Sequence, residues 1–359
     1  MRGRKVRGTF LALALLCSLT LCSSAKAAYD PLGGGTAKLT LDPAFASLLK
    51  RDGISLVAKQ GAKRKGATYT LPVSGGQIDP TKGSGEAKTE GTIVFQAKAK
   101  SVPLREIRVK ATREPLIAKV GGSQLKLATA KKTTANRAGF ATRLTSTKLT
   151  LTAKLVTRLN KKLRPKVPFS AGQPLGALAT TAQPALVTIE EKGTATITLN
   201  TAFLQKLDEH FISLNPLAPA QRFGTEASFP ITVGGAIAPD GSQGTLRTAG
   251  DLEFLQLGAG QVFWHELWLD LGAHSDSAEV DVEPTPTFPG KIGRQGALDY
   301  TPAAVASDPK TRTISVSGAP LTLSASAAQT FNQAFAQGGP AVFGAGEAVG
   351  VVGFGAVGE

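Results

Sequence analysis

The sequence predicts a mainly β protein of two tandem, β-rich, sandwich- or barrel-like domains, each with one or two short helices. Three observations carry this expectation. Helix breakers are dense, at 40 Gly and 21 Pro, while β-branched and other strand-favouring residues are plentiful. Short apolar runs alternate with polar residues and end at Gly, Pro, Asn or Asp. The same succession of runs occurs twice, so the chain reads as one unit used twice.

The first elements belong to targeting. Met1 to Gly8 is a basic n-region, Thr9 to Cys22 is an apolar stretch of 14 residues, and Ala25-Lys26-Ala27 offers a cleavage site before Ala28. Residues 1–27 therefore read as an export signal, giving a secreted protein or one associated with the cell envelope. A lipoprotein signal ending at Cys17 or Cys22 is the alternative, although Leu precedes each cysteine where a small residue is wanted. Both cysteines lie in this segment, so the mature chain offers no disulfide, thiolate nucleophile or Cys-ligated metal site. No later segment reaches about 18 uninterrupted apolar residues, so no transmembrane helix is expected. Val342 to Gly358, rich in Gly and containing Glu347, reads as a strand.

Each repeated element then has its local reason. Gly35 to Leu41 and Gly193 to Leu199 alternate apolar and polar residues, the period of a half-buried strand. Asp42 with Pro43, and Asn200, are N-caps: one opens a short helix through Phe45, Leu48 and Leu49, the other a helix through Phe203, Leu207 and Phe211. Ile54-Ser55-Leu56 and Ile212-Ser213-Leu214 follow at the same offset of 158 residues. Next comes Leu71-Pro72-Val73 with Gly75-Gly76, matched by Phe229-Pro230-Ile231 with Gly234-Gly235; each copy reads as strand, Gly-Gly break, Pro turn and second strand. The stretches Val102 to Val109 and Val262 to Leu269 are further strands. Leu149 to Ala153 and Leu321 to Ala325 lead into helices stopped by Pro165 and Gly338. The expected domains are 28–182 and 190–359, joined near Thr180 to Gly193, where Gln183 to Ile189 could be a strand of either domain.

Charge divides between the copies. Ala28 to Ala185 holds 28 Lys plus Arg against 8 Asp plus Glu, whereas Leu186 to Glu359 holds 8 against 18. Drift of two surfaces is one reading; the other is a basic domain facing an anionic envelope polymer, an anionic lipid surface or the acidic domain of another chain. Nucleic acid is not an expected partner, because Lys63-Arg64-Lys65, Lys131-Lys132 and Lys161-Lys162 lack interleaved aromatics. Enzyme signals are missing too: there is no nucleophile elbow, phosphate loop, His-x-x-x-His pair or separable carboxylate couple. His274-x-Asp276 is a loose pattern for a metal, and no metal site is assigned.

The candidate ligand-binding residues are Trp264, His265, Glu266, Trp268, Tyr69 and Tyr300. Strict alternation from Val262 to Leu271 places Phe263, His265, Leu267, Leu269 and Leu271 on a core face and Trp264, Glu266, Trp268 and Asp270 on the other. Both tryptophans would then flank Glu266 on a polar face, suited to a flat ligand, a sugar or a protein partner, unless a loop or the other domain covers them. His265 would be a core or rim histidine. Tyrosinate can ligate haem iron, although most tyrosines pack with a satisfied hydroxyl.

The ordered set formed by Phe229-Pro230-Ile231 with Gly234-Gly235, Gly244-Thr245-Leu246-Arg247 to Gly250, and Leu267-Trp268-Leu269 resembles the Htaa domain family of exported haem-acquisition proteins from Gram-positive bacteria. The resemblance covers nearly all of the mature chain in two copies. It implies a β-rich domain that binds haem through a tyrosine in the first helical segment and a histidine after the Gly-Thr-Leu-Arg-like strand. Those positions fall near Leu48 and Thr92 in the first copy and near Lys206 and Asp251 in the second, so no haem ligand is carried over. His265, Tyr69 and Tyr300 are the substitutes if haem is bound. The alternative is a non-catalytic structural or adhesive envelope protein that binds anionic polymers or another protein.

Overall fold

The computed structural model describes residues 30–79, 84–112, 114–282, 290, 292–301, 303–336 and 338–359. The export signal read over 1–27, the turn residue Pro80 and the loop over 285–289 lie outside the described residues.

The chain forms two large antiparallel sheets with the same strand order. In the first, Lys100–Lys110, Ser84–Thr89, Thr68–Asp79, Asp30–Leu41, Pro174–Pro184, Ala141–Leu151, Ser123–Thr129 and Leu116–Val120 are successive neighbours. Hydrogen bonds between Leu116–Val120 and Lys100–Lys110 close these eight strands into a barrel. In the second, Gly260–Asp270, Gly244–Arg247, Ala236–Ile237, Val187–Leu199, Ala348–Gly358, Thr313–Leu323, Gly293–Tyr300 and Ser275–Val282 follow the same order and close in the same way. The expected mainly β, barrel-like architecture is therefore what forms. The connecting segment is nearly all strand: Pro174–Pro184 belongs to the first sheet and Val187–Leu199 to the second, leaving a bend at Ala185 and Leu186.

The strands follow their patterns locally. Asp30–Leu41 buries Ala37, Leu39 and Leu41, and Val187–Leu199 buries Ala195, Ile197 and Leu199. Asp42 Oδ1 accepts from Ala44 N at 2.9 Å and Phe45 N at 3.2 Å, opening the helix Pro43–Arg51. Asn200 Oδ1 accepts from Ala202 N at 2.8 Å and opens Thr201–Glu209. Thr152 and Ser324 cap Ala153–Leu163 and Ala325–Phe335. These helices set their apolar side chains, such as Leu155, Leu159 and Phe331, into two hydrophobic cores, one per barrel. Phe140, at the tip of the first barrel's hairpin, joins the core of the second, where the Arg312 guanidinium lies 5.9 Å from its ring centroid.

Three sequence expectations fail, each for a backbone reason. The Gly75-Gly76 pair does not break the strand: Thr68–Asp79 runs through it, with a register shift between Val73 and Gly75. In the second half the strand Glu226–Pro230 does end, a single bridge joins Ile231 to Thr248, and strand pairing resumes at Ala236–Ile237. Alternation also fails along Gly260–Asp270. Glu266 takes a left-handed φ of 49°, and the register with Ser275–Val282 shifts between His265 and Trp268. This β-bulge moves the core face from Val262 and Trp264 to Leu267 and Leu269. Glu106, with φ 47°, makes the same bulge in Lys100–Lys110, between buried Leu104 and Ile107. Finally, Phe211 lies outside its helix, with φ 56°, two residues beyond Glu209.

A second repeated device holds the segment after each late helix. Asn332 Oδ1 accepts from Val342 N at 2.7 Å and Phe343 N at 2.9 Å, and its Nδ2 donates to Phe343 O at 2.8 Å. Asn160 clasps Phe169 through its N and O, both at 2.9 Å. Because Phe343 is buried against Phe331, Asn332→Ala strands polar backbone beside an apolar core. The substitution is expected to cost about 2–3 kcal/mol, read as a lower urea midpoint at unchanged m-value.

Candidate functional site

The bulge decides which residues of Gly260–Asp270 are available to a ligand. Trp264, expected on a polar face, is 1% exposed. Its ring lies 4.8 Å from Phe254 and stacks on Phe331 at 5.4 Å, so it is a core residue. Trp268 does reach the outer surface and is half-buried. Arg247, from the strand on one side, places its guanidinium 4.1 Å from the Trp268 ring, and Arg294, from beyond Ser275–Val282 on the other, places its own at 3.8 Å. Arg294 is further fixed by donating to Glu266 O at 3.0 Å and Ser277 O at 3.1 Å, with Glu266 Oε2 at 3.5 Å. The pair read as Trp–Glu–Trp is thus one outward tryptophan in an arginine sandwich, beside an exposed glutamate.

His265 also lies on the opposite face from the one expected. It stacks on Phe263 at 5.5 Å, with Nδ1 3.0 Å from Asp251 Oδ2 and Nε2 3.6 Å from Asp281 Oδ2. Asp251 also accepts from the Glu266 N–H at 3.4 Å, so one carboxylate meets both the bulge and the imidazole. With both ring nitrogens turned to carboxylates, His265 is a poor iron ligand. No group of three or more His, Cys, Asp or Glu is placed to hold a metal ion among the described residues.

Both tyrosines are committed. Tyr69 is fully buried, its hydroxyl donates to Leu56 O at 3.0 Å, and burial raises its pKa. Tyr300 donates to Asp270 O at 2.9 Å. Burial first, then the carboxylates of Asp270 and Asp276, push its phenol far up, so it keeps its proton. At the positions where the Htaa resemblance places ligands, Thr92 donates to Gln60 Oε1 at 2.6 Å and Lys206 lies 2.8 Å from both Glu347 carboxylate oxygens. Leu48 is half-buried on its helix.

One surface escaped the sequence reading. Phe211, expected on a helix core face, is 84% exposed, and Leu257 is 86% exposed. Ile212 pairs with Gln256, so Phe211 and Leu257 stand opposite each other just past the end of that strand pair. The backbone of His210, the C-cap residue of Thr201–Glu209, adjoins this strand end through its carbonyl, which accepts from Gln256 Nε2 at 2.7 Å, while its ring lies 6.5 Å from Phe343. Its ring nitrogens have no hydrogen bond or ion pair among the described residues. At the offsets of 158 and 159 residues the first copy has Gly53 and Lys98, so this apolar tip is particular to the second barrel. The signal in the sequence was the His-Phe pair at a helix end, where Phe211 fits the helical period by coincidence.

No known family profile matches the chain, and no curated protein matches it. Among solved structures, the C-terminal domain of HtaA from Corynebacterium glutamicum aligns with a TM-score of 0.37 at 16% identity, over 47% of this chain and 98% of that domain. The N-terminal domain of the same HtaA aligns with a TM-score of 0.34 at 16% identity, over 47% of this chain and 99% of that domain.

Asp276 supplies a measurable property of this barrel. It is 1% exposed, pairs in register with Leu269, and its Oδ1 has no hydrogen-bond partner among the described residues. Leu116 holds the corresponding place opposite Val109 in the first barrel. Burial raises the carboxyl pKa well above its usual value, against the lowering effect of Arg294. The unfolded chain therefore releases this proton first as pH rises, and stability falls from the ordinary carboxylate range up through the raised folded value. Asp276→Leu is expected to remove that decline and to stabilise the protein by about 1–3 kcal/mol at neutral pH, measured by urea titrations across pH.

Proposed function

We propose that the chain is an exported, non-catalytic binding protein of two tandem Htaa-like barrels, and that its second barrel takes haem at the helix-end tip. The N-terminal signal pattern supports export, and no described helix is long and apolar enough to cross a membrane. The repeated strand order, the paired bulges at Glu106 and Glu266 and the paired clasps at Asn160 and Asn332 support the tandem reading.

The observation that carries the ligand assignment is the pair of exposed apolar residues, Phe211 and Leu257, at the strand end that His210 adjoins in the chain. Haem presents a broad apolar face and an iron that accepts an imidazole nitrogen. Burying Phe211 and Leu257 against such a face contributes about 1.5–3 kcal/mol each, and His210 supplies a nitrogen that no other described group engages. The earlier candidates fit less well. Tyr69 and Tyr300 hold their protons in hydrogen bonds, and His265 is turned to Asp251 and Asp281.

Haemin titrated into the mature protein is expected to give a saturable Soret shift, weakened at least about tenfold in His210→Ala and in the Phe211→Ser, Leu257→Ser double variant. His265→Ala should retain it. A shift no larger than that of an unrelated basic protein, or one undiminished in His210→Ala, overturns the assignment.

A further inference from the structure

The first barrel carries a surface that the haem assignment does not use. Its bulged strand Lys100–Lys110 places Arg108 directly opposite Lys88 on Ser84–Thr89, and Arg105 directly opposite Lys119 on Leu116–Val120. Like charges in directly opposed cross-strand positions repel, and sheets ordinarily avoid them. The same two positions in the second barrel hold Arg247 opposite Trp268, an attractive cation–π pair, and His265 opposite Glu279, with no like charges opposed. With the same strand register, the first barrel thus opposes like charges where the second does not.

Neutralisation from within is partial. Glu86 lies 3.1 Å from Arg108 and 3.7 Å from Lys110, and Glu106 lies 3.0 Å from Lys119. Against these two carboxylates stand Lys88, Arg105, Arg108, Lys110 and Lys119. Beside them is an open cleft of about 520 Å³, lined by Gly76, Gln77, Gly85, Glu86, Lys88, Lys110 and Thr112. Gly76 and Gly85 hold positive φ on this paired edge, where a Cβ would lie 2.2 Å from the carbonyl oxygen of Glu86 or Gln77 on the facing strand. A chain laid in this cleft meets Lys88 and Lys110, with Glu86 the one carboxylate among the described lining residues.

We infer that this face of the first barrel binds a linear polyanion, with its charged groups set against Lys88, Arg105, Arg108, Lys110 and Lys119. The acidic barrel of a second copy is the other occupant with complementary charge. The balances of +20 and −10 would leave that pairing half neutralised, which favours the polyanion as occupant. Attraction of this kind is electrostatic, so it weakens with salt, as charges are screened and releasing condensed counterions gains less entropy.

The test uses the mature full-length chain with inorganic polyphosphate, polygalacturonate and neutral dextran as probes, over a series of salt concentrations. Binding to at least one polyanion and not to dextran is expected, and which one binds separates phosphate from carboxylate recognition. Neutralising the face with Lys88→Gln, Arg105→Gln, Lys110→Gln and Lys119→Gln is expected to lower affinity at least about tenfold and flatten the salt dependence. An equal number of neutralisations at exposed Lys154, Lys161, Lys162 and Lys166 should change it less than about threefold. Thermal melts keep the two variants comparable, and single substitutions serve if the quadruple variant is unfolded. Equal losses in both variants, binding to neither polyanion, or salt-sensitive self-association abolished by the face variant without polymer binding, each overturn the inference.

Discussion

The organisation of both barrels depends on a single non-glycine residue held in the left-handed region halfway along a long strand. Glu106 and Glu266 sit there at φ 47° and 49°, a conformation that costs an ordinary side chain about 1–2 kcal/mol. The surroundings offset that cost. Buried Thr89 donates to Ile107 O at 2.9 Å and buried Thr248 donates to Leu267 O at 3.1 Å, tying down the carbonyl just past each bulge. In the second barrel Arg294 also holds the Glu266 carbonyl, and Asp251 accepts the Glu266 N–H. The bulge lets one strand serve two partners. Before it, Lys100–Lys110 pairs with Thr92–Ala97; after it, with Ser84–Thr89. Gly260–Asp270 divides likewise between Asp251–Gln256 and Gly244–Arg247.

The surfaces follow from the same geometry. Since the bulge inserts a residue, it decides which side chains of its strand point outward, and several of those differ in charge between the barrels. Where the first barrel sets Arg105 and Arg108, the second sets His265 and Trp268. One scaffold thus presents a cationic shelf in one copy and, in the other, an arginine–tryptophan sandwich beside an imidazole held between carboxylates. The apolar tip at Phe211 and Leu257 is a further divergence, at the end of an element whose buried residues, Phe203 and Leu207, match Phe45 and Leu49 of the first copy. Core positions are constrained by packing density in both copies, whereas outward positions are free to take on separate binding roles.

Much of the fold was legible in the sequence because its signals are local. Asp42, Asn200, Thr152 and Ser324 announce helix starts through the hydrogen bonds they offer to the first turn. The alternation before Leu41 and Leu199 announces strands buried on one side. The site was far less legible. Period-two reasoning holds only while the register is unbroken, and nothing in Trp264-His265-Glu266-Leu267-Trp268 marks Glu266 as the residue that leaves it. Phe211 misled in the opposite way, continuing a helical period beyond the residue where the helix stops.

By itself, then, the sequence determined the class of elements, their capping, the recurrence of one succession of runs and the unequal division of charge, because each is written in neighbouring residues or simple counts. Tertiary structure alone decided that Trp264 is core and Trp268 is surface, that His265 faces Asp251 and Asp281, and that Lys88 and Arg108 are brought face to face. Those outcomes depend on register between strands far apart in the chain. A single inserted residue inverts that register, and only closure of the whole barrel determines where the insertion is tolerated.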